Sequence, residues 1–176
     1  MKKTILIAIL FLVVTSFITI SDRVHKLIQK EIKAVFSIEN FTSEPIIISN
    51  NKLNKILPLK IDETNFFKIN SEANFFGYYY LGKAYGKADY FDFIVIFNKN
   101  LIVSKVKILV YREDHGGEVG SKRWLKQFIG VTKEQQLKYQ KDIAAISGAT
   151  ISAKSMTNEI NKLLKTVGIL NNKHLI

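Results

Sequence analysis

The hydrophobic periodicity that most constrains this fold lies near the C-terminus. Apolar residues recur every three or four positions from Ala153 to Val167, with lysines and asparagines between them. This period places the apolar side chains on one face of an α-helix and the polar ones on the opposite face. We therefore predict a helix over residues 153–167 whose apolar face packs against a second layer of structure.

The segment in front of this helix, Ile146–Ser152 (ISGATIS), has features of an anion-binding site. Thr150 is predicted to lie just before the helix N-terminus, where unpaired N–H groups and a partial positive charge favour a phosphate. Gly148 and Ala149 leave the backbone accessible. An ordinary helix start, with Ser152 or Thr150 as the cap, explains the same residues, and spacing alone favours it because Ser and Thr are common caps.

A β-hairpin is predicted upstream, with arms Asp89–Phe97 and Leu101–Tyr111 joined at residues 98–100. In the second arm, apolar residues alternate with lysines, which predicts a sheet covered on one face only. The alternating residues are Val106, Ile108 and Val110 on one face, and Lys105 and Lys107 on the other.

Further elements complete the predicted fold. An amphipathic helix is expected over Asp22–Phe36 and a strand over Phe75–Leu81, with short strand-like runs at Pro45–Ile48 and Leu57–Leu59. Gly77, Gly82 and Lys83 have phosphate-loop spacing, but Ala84 replaces the hydroxyl residue and no helical pattern follows. We predict an α+β fold, in which helices pack on a bent antiparallel sheet, with an N-terminal membrane-anchor helix.

The loop Glu113–Gly120 contains three glycines at the end of a predicted strand, which lets a ligand approach the backbone closely. A short helix is expected next, over Arg123–Phe128. Trp124 and Phe128 are four residues apart and so share one face of that helix.

The ISGATIS segment and the segment that contains the glycine loop and the Trp124 helix resemble the FMN-binding domain family. This family includes subunits of Rnf-type and sodium-translocating NADH:quinone oxidoreductase complexes and related regulator-type and stand-alone members. ISGATIS resembles the family's flavinylation motif, and Tyr111–Gly130 resembles its Glu-and-Gly loop followed by a W-L-x-Q-F-x-G-like helix. The resemblance implies that a flavin transferase attaches FMN to the Thr150 hydroxyl through a phosphoester. The family motif usually has Asp six residues before this Thr, where this chain has Ala144.

The resemblance also implies where the cofactor is held. An isoalloxazine ring needs a slot lined by aromatic and small residues. The residues expected around the cofactor are Ser147, Gly148, Ala149, Thr150 and Ile151 in the motif, Glu113, His115, Gly116 and Gly117 in the glycine loop, and Trp124 and Tyr85 as aromatic contacts.

Two functions follow from the resemblance. In the first, the protein is a membrane-anchored extracytoplasmic flavoprotein that relays electrons between membrane or extracytoplasmic electron-transfer proteins. In the second, the protein is a cofactor-free or loosely FMN-binding regulatory or interaction module of the same fold. The replacement of the family's Asp by Ala144 is the reason for considering this alternative. No substrate pocket is evident, so we expect an electron carrier or an oxidoreductase subunit rather than a complete enzyme, with no catalytic residues of its own.

The N-terminus predicts the location of the protein. Lys2 and Lys3 precede an uncharged apolar run, Thr4–Ser21, which is near the shortest length that spans a bilayer. We expect a single anchor in the cytoplasmic membrane with the domain on the extracytoplasmic side; the alternative is a soluble exported protein after signal cleavage. The chain then divides into an anchor or signal (1–21), an amphipathic connecting helix (22–43) and an FMN-binding domain (44–176).

Composition excludes several other classes. The chain has no cysteine, which removes disulfides, Cys-ligated clusters and thiol catalysis. The net charge of +11 comes from scattered lysines without a nucleic-acid-binding motif, so we expect an anionic membrane surface or acidic partner and no nucleic acid. Acidic loop residues near His115 do not complete a two-His/carboxylate set, and we expect no metal.

Overall fold

A computed structural model describes residues 22–49 and 51–176. Its centre is a five-stranded sheet in which each strand pairs antiparallel with the next along the chain. The strands are β1 (Thr42–Pro45), β2 (Phe66–Ser71), β3 (Asn74–Tyr85), β4 (Tyr90–Asn98) and β5 (Val103–Val110). The fold is therefore α+β with an antiparallel sheet, as predicted.

Helices lie before, between and after the strands. They are α1 (22–36), α2 (Asn51–Ile56), α3 (Lys122–Leu125) and α4 (Thr150–Asn172), with 3-10 turns at Gly117–Gly120 and Lys126–Phe128. The predicted C-terminal helix is confirmed as α4 but is longer at both ends than residues 153–167, because Leu170 continues the buried face to the last turn.

The larger core lies between one face of the sheet and helices α3 and α4. On β4 every second residue enters this core, as the two-residue period of a strand requires. The β4 residues are Phe91, Phe93, Val95 and Phe97, and α4 contributes Met156, Ile160, Leu163, Leu164, Val167 and Leu170. This packing fixes α4 across the sheet.

The opposite face of the sheet is also covered, so the prediction of a one-sided sheet is wrong. Ile94 and Ile96, which alternate with the β4 phenylalanines, pack with Ile28 and Ile32 of α1 in a second core. The lysines of β5 misled the prediction: Lys105 lies beside α1 and forms an ion pair with Glu31 at 3.3 Å. A partly exposed pair of this kind adds little stability, and the apolar contacts of α1 hold this layer.

Two irregularities distort the sheet on the β4–β5 pair. The register shifts between Asp92 and Phe93 and again between Ile96 and Phe97. Bulges of this kind bend the strand and increase its twist.

Two short strands predicted near the N-terminus are not formed. β1 ends at Pro45, and residues 57–59 follow α2 without joining the sheet. In the second run, the Leu59 N–H donates to the Thr166 hydroxyl oxygen of α4 at 3.0 Å, and the Asn54 side chain bonds both backbone groups of Ile61 just beyond it. Backbone groups bonded in this way are not available for a strand ladder.

The glycines with phosphate-loop spacing lie inside a strand. Gly77, Gly82 and Lys83 all belong to β3. A Cβ at Gly82 would lie 2.5 Å from the rings of Tyr80 and Phe93, so this glycine makes room for aromatic packing.

Among residues 22–49 and 51–176, no helix combines the length and apolar character needed to cross a bilayer. The predicted anchor, Thr4–Ser21, lies outside the described residues.

Candidate functional site

The start of α4 presents Thr150 without a side-chain cap. Thr150 is the first helical residue, and Ala149 before it occupies the cap position with φ −128° and ψ 27°. The prediction that Thr150 precedes the helix, with Thr150 or Ser152 as its cap, is therefore wrong. Alanine has no side-chain acceptor, so the first N–H groups of α4 keep the partial positive charge of an uncapped helix end. The Thr150 side chain is exposed.

The residues before Thr150 leave this end of the helix open. Gly148 has φ +78°, and a Cβ built there would meet no atom within 4 Å. Ser147 is exposed, whereas Ala149 is buried. Glycine adopts this backbone conformation without steric cost, and it leaves space beside Thr150 that a larger side chain would fill.

The glycine loop and the ISGATIS segment are in direct contact. A Cβ at Gly116 would lie 3.1 Å from the Cβ of Ala149, and Gly116 has φ +79°. The Tyr111 hydroxyl donates to the His115 carbonyl oxygen at 2.9 Å and lies 3.4 Å from the hydroxyl oxygen of buried Ser152. The two predicted motifs therefore form one site, joined by Tyr111 at the end of β5.

Glu113 serves the neighbouring β3–β4 turn. Its carboxylate accepts from the N–H groups of Ala88 at 2.8 Å and Asp89 at 3.2 Å. The Ala88 hydrogen bond is the main reason that the pKa of Glu113 is lowered. His115 and Gly117 are both exposed on the surface of the glycine loop. Across the described residues, no group of three or more His, Cys, Asp or Glu side chains could hold a metal ion.

Trp124 is buried beneath the site. It is only 5% exposed and packs edge-on against Phe128, with the ring centroids 5.2 Å apart. Its indole N–H donates to the Ala144 carbonyl oxygen at 2.8 Å. The N–H of Ala144 in turn donates to the Gln127 side chain at 2.8 Å. Trp124 thus supports the chain that leads to Thr150 and does not itself form an open aromatic surface.

Tyr85, by contrast, is exposed beside the start of α4. Its backbone N–H donates to the Ser155 hydroxyl at 2.9 Å. Ile151 lies four residues before Ser155 and therefore one turn away on the same side of the helix. Tyr85 and Tyr90 contact each other edge-on at 5.0 Å. Tyr85, Tyr90 and Ile151 are 45%, 53% and 51% exposed, and we refer to these three residues as the aromatic edge.

A shallow groove of about 680 Å³ follows the exposed side of α4 from Thr150. Ile151 and Ser155 line it, together with Lys154 and Asn158. A groove of this size is within the range that accommodates a small cofactor. An exposed hydroxyl, unpaired N–H groups and apolar surface within one helical turn fit a flavin mononucleotide, whose phosphate is anionic and whose ring is planar and largely apolar.

Sequence reasoning missed several residues that organise this site. Tyr90 pairs with Tyr85 in the β3–β4 register, and recognition of a hairpin turn over residues 86–89 would have found it. Gln127 could have been noticed because it is a polar residue three positions after Trp124, beside the apolar face of a short helix. This is weaker evidence for a role in the site than the hairpin turn is for Tyr90. Ser155 has the sequence pattern of an ordinary polar helix position, and Ser152 is considered only as a helix cap; the contacts of Ser152 with Tyr111 and of Ser155 with Tyr85 are seen only in the tertiary structure.

Comparison with known proteins identifies the part of the chain that carries this site. Residues 86–165 match the family model described as FMN-binding domain, which confirms the resemblance found in the sequence. The match covers the glycine loop, the Trp124 segment, the ISGATIS segment and most of α4, and Tyr85 directly precedes it. No curated protein matches the chain.

Proposed function

Because residues 86–165 match the family model of the FMN-binding domain, we propose that this protein carries FMN covalently on Thr150 and relays electrons outside the cytoplasm from a membrane anchor. The observation that carries the proposal is the coincidence of the family match with an exposed threonine hydroxyl at an uncapped helix start. A phosphoester there is favoured by the positive end of the helix dipole.

The attachment step is a phosphoryl transfer to Thr150. The Thr150 hydroxyl oxygen forms a bond to the phosphorus of a flavin donor activated as a phosphoanhydride. The anhydride P–O bond breaks, the other phosphate leaves, and the hydroxyl proton passes to a base in the separate flavin transferase. No oxidation occurs. The exposed side chain of Thr150 and the space at Gly148 give this enzyme access.

The residues around Thr150 have separate roles in holding the cofactor. The first N–H groups of α4 would hold the phosphate of bound FMN, and the aromatic edge would provide an apolar surface for its ring. Gly116, His115 and Gly117 border the site on the glycine-loop side, and Glu113 holds the turn that carries Tyr85 and Tyr90. Bound FMN supplies the capacity to take up two electrons and release them one at a time.

Partners and location complete the proposal. With no cysteine in the chain, any Cys-ligated cluster in a further relay of electrons would belong to neighbouring proteins. Membrane anchoring rests on Thr4–Ser21, and an excess of lysine on the domain suits the anionic surface of a membrane. Fractionation of cells that express the full chain tests this: the protein should remain with the membranes. A wholly soluble protein whose N-terminus begins near Phe17 would indicate a cleaved signal instead.

Intact-mass analysis after co-expression with a flavin transferase tests the attachment. The wild type should gain the mass of one FMN phosphoester, and Thr150→Ala should gain none. Ser49→Ala is the control, because it removes an exposed hydroxyl outside the ISGATIS segment and should be labelled fully. Thr150→Ser keeps an oxygen and should be labelled in part. An unlabelled wild type would instead favour the cofactor-free module, and labelling that survives Thr150→Ala would place the flavin elsewhere.

The departure from the family motif at Ala144 can be tested in the same assay. The Ala144 side chain is exposed, so an aspartate can be accommodated there without burying a charge. If a carboxylate at this position assists the transferase, Ala144→Asp should raise the rate of labelling. An unchanged rate would mean that this chain is labelled without that acid.

A further inference from the structure

We propose that Gln127 and Trp124 are positioning residues for flavin attachment: together they fix the backbone of Ala144 and so set the path of the chain that presents Thr150. This inference rests on the proposed attachment at Thr150. Neither side chain is hydrogen-bonded to Thr150, so both would act through the five residues that connect Ala144 to Thr150.

The geometry is a clamp with three hydrogen bonds. The side-chain oxygen of Gln127 (Oε1) accepts from the backbone N–H of Ala144 at 2.8 Å. The Trp124 indole N–H donates to the backbone carbonyl oxygen of Ala144, also at 2.8 Å. The Gln127 side-chain amide also donates to the Trp124 carbonyl oxygen at 2.9 Å, which fixes its orientation. Both backbone groups of Ala144 are thus held by one helical segment. We refer to this arrangement as the Ala144 clamp.

The chain beyond the clamp needs such a fixed point. Residues 144, 145, 147 and 148 are exposed, and Gly148 has open space around it. Within this stretch the Ala149 N–H donates to the Ile146 carbonyl oxygen at 3.2 Å, which closes a turn. Ala149 then rests against Gly116. The Thr150 hydroxyl is therefore presented by a short exposed turn that is held at one end by the Ala144 clamp and at the other by the glycine loop.

Loss of the clamp is expected to loosen this turn without unfolding the core. An exposed loop opens locally with a lower free energy than the whole domain, and removal of one hydrogen bond increases the open population about fivefold. A transferase must bring its flavin donor to one hydroxyl oxygen in a defined orientation, and misplacement of a reacting group slows such a transfer. The rate of attachment should therefore fall, while the fully labelled end state is still reached.

Paired substitutions separate positioning from packing. Gln127→Leu removes the acceptor for the Ala144 N–H and the donor to the Trp124 carbonyl oxygen, whereas Gln127→Glu retains the acceptor and loses only the donor. Trp124→Phe retains an aromatic ring against Phe128 but removes the indole N–H. Gln135→Leu is the control, because the Gln135 side chain accepts from the Thr132 N–H at 2.8 Å in a different exposed loop.

The measurement is the initial rate of FMN attachment to the purified full chain by a flavin transferase and its flavin donor, as a function of chain concentration. We expect kcat/KM to fall about fivefold or more for Gln127→Leu and for Trp124→Phe, the factor that one lost hydrogen bond gives. Gln127→Glu keeps one of the two Gln127 hydrogen bonds and should therefore be faster than Gln127→Leu and slower than the wild type, and Gln135→Leu should equal the wild type. The final extent of labelling and the Tm should change little in Gln127→Glu and Gln135→Leu.

A second readout needs no flavin. The chain has one tryptophan, so intrinsic tryptophan fluorescence reports on the clamp directly. In unlabelled protein, Gln127→Leu should shift this emission and speed hydrogen exchange at the Ala144 amide, and Gln127→Glu should do both to a smaller extent. Gln135→Leu should alter neither.

If Gln127→Leu and Trp124→Phe were labelled at the wild-type rate although hydrogen exchange at the Ala144 amide had become faster, the positioning role would be overturned. Attachment at Thr150 would remain supported. Equal slowing in Gln127→Leu and Gln127→Glu would also overturn it, because the retained acceptor would then have no effect. An unlabelled wild type would overturn the proposed function itself, and this inference with it.

Discussion

The two aromatic residues expected to contact the flavin lie in opposite environments. Trp124 is buried, its ring packs on Phe128, and its N–H is bonded to Ala144. Tyr85 is 45% exposed, contacts the Tyr90 ring, and donates its backbone N–H to Ser155 in α4. A buried ring with a satisfied polar group stabilises the fold and sets the course of the chain, whereas an exposed ring is available to a ligand. The difference divides the site into a supporting side at Trp124 and a contacting side at the aromatic edge.

The largest expected effect is on the supporting side. Trp124→Ala removes a buried ring and leaves the Ala144 carbonyl oxygen without its donor, so the free energy of unfolding should fall by about 3–5 kcal/mol. Denaturant unfolding measures this loss. A cost below about 1 kcal/mol, the range of surface substitutions, would mean that Trp124 is not the support that its burial indicates.

The next effect concerns the contact between the two motifs. Gly116→Ala places a side chain at φ +79° and brings it 3.1 Å from Ala149, so we expect a loss of about 1–3 kcal/mol from the backbone strain alone. Because Ala149 precedes Thr150, the rate of flavin attachment should fall as well.

Gly117→Ala is the matched control for that substitution. A Cβ at Gly117 would meet no atom within 4 Å, and this residue begins a 3-10 turn. The substitution should therefore leave the free energy of unfolding unchanged or raise it by up to about 1 kcal/mol. If both variants behaved alike, the contact between Gly116 and Ala149 would have no role in the site.

The sequence pattern predicted the buried face of α4 and the glycines beside Thr150. The environments of the aromatic residues and the helix cap depend on tertiary contacts that the pattern does not contain. The apolar spacing of α4 determines its buried face, and Gly148 and Gly116 both adopt the left-handed conformation that glycine tolerates. The environments of Trp124 and Tyr85 could not be told apart from sequence, because each is an aromatic residue in a segment that mixes basic residues with apolar or small ones. The helix cap was missed for a similar reason: an alanine at the cap position gives no signal of its own.

A smaller effect on stability is expected on the contacting side. Tyr85→Ala removes an exposed ring and its edge contact with Tyr90, so the free energy of unfolding should fall by only about 0.5–1.5 kcal/mol. In labelled protein, however, the flavin's fluorescence and midpoint potential should change, since the ring loses an aromatic neighbour.

Ile129→Ala provides the comparison, because Ile129 is equally exposed, at 49%, outside the aromatic edge. It should alter neither flavin property. If Tyr85→Ala also left both unchanged, the flavin ring would have to lie away from the aromatic edge, and the division between the two sides would fail.

The smallest effect is a local dependence on pH. Hydrogen bonds from Ala88 and Asp89 lower the pKa of Glu113 below its ordinary value of 4.5. A carboxyl group with a lowered folded-state pKa contributes stability above its unfolded-state pKa, and this contribution is lost as the pH falls through the folded-state value. Below about pH 4, the ordinary range of a glutamate, the turn over residues 86–89 should therefore begin to open. Because that turn connects Tyr85 to Tyr90, only the contacting side should respond.

Hydrogen exchange at the Ala88 and Asp89 amides, followed between about pH 6 and pH 3, measures this opening after correction for intrinsic exchange rates. Protection should decrease at the acidic end, and Glu113→Gln, which keeps an acceptor but cannot ionise, should remove the pH dependence. Glu118→Gln, a change at an exposed glutamate of the same loop, should leave the dependence as in the wild type. Tryptophan emission from the supporting side should stay constant over this range. A parallel change in that emission would mean that the two sides open together, and that the Ala144 clamp and the aromatic edge form one cooperative unit.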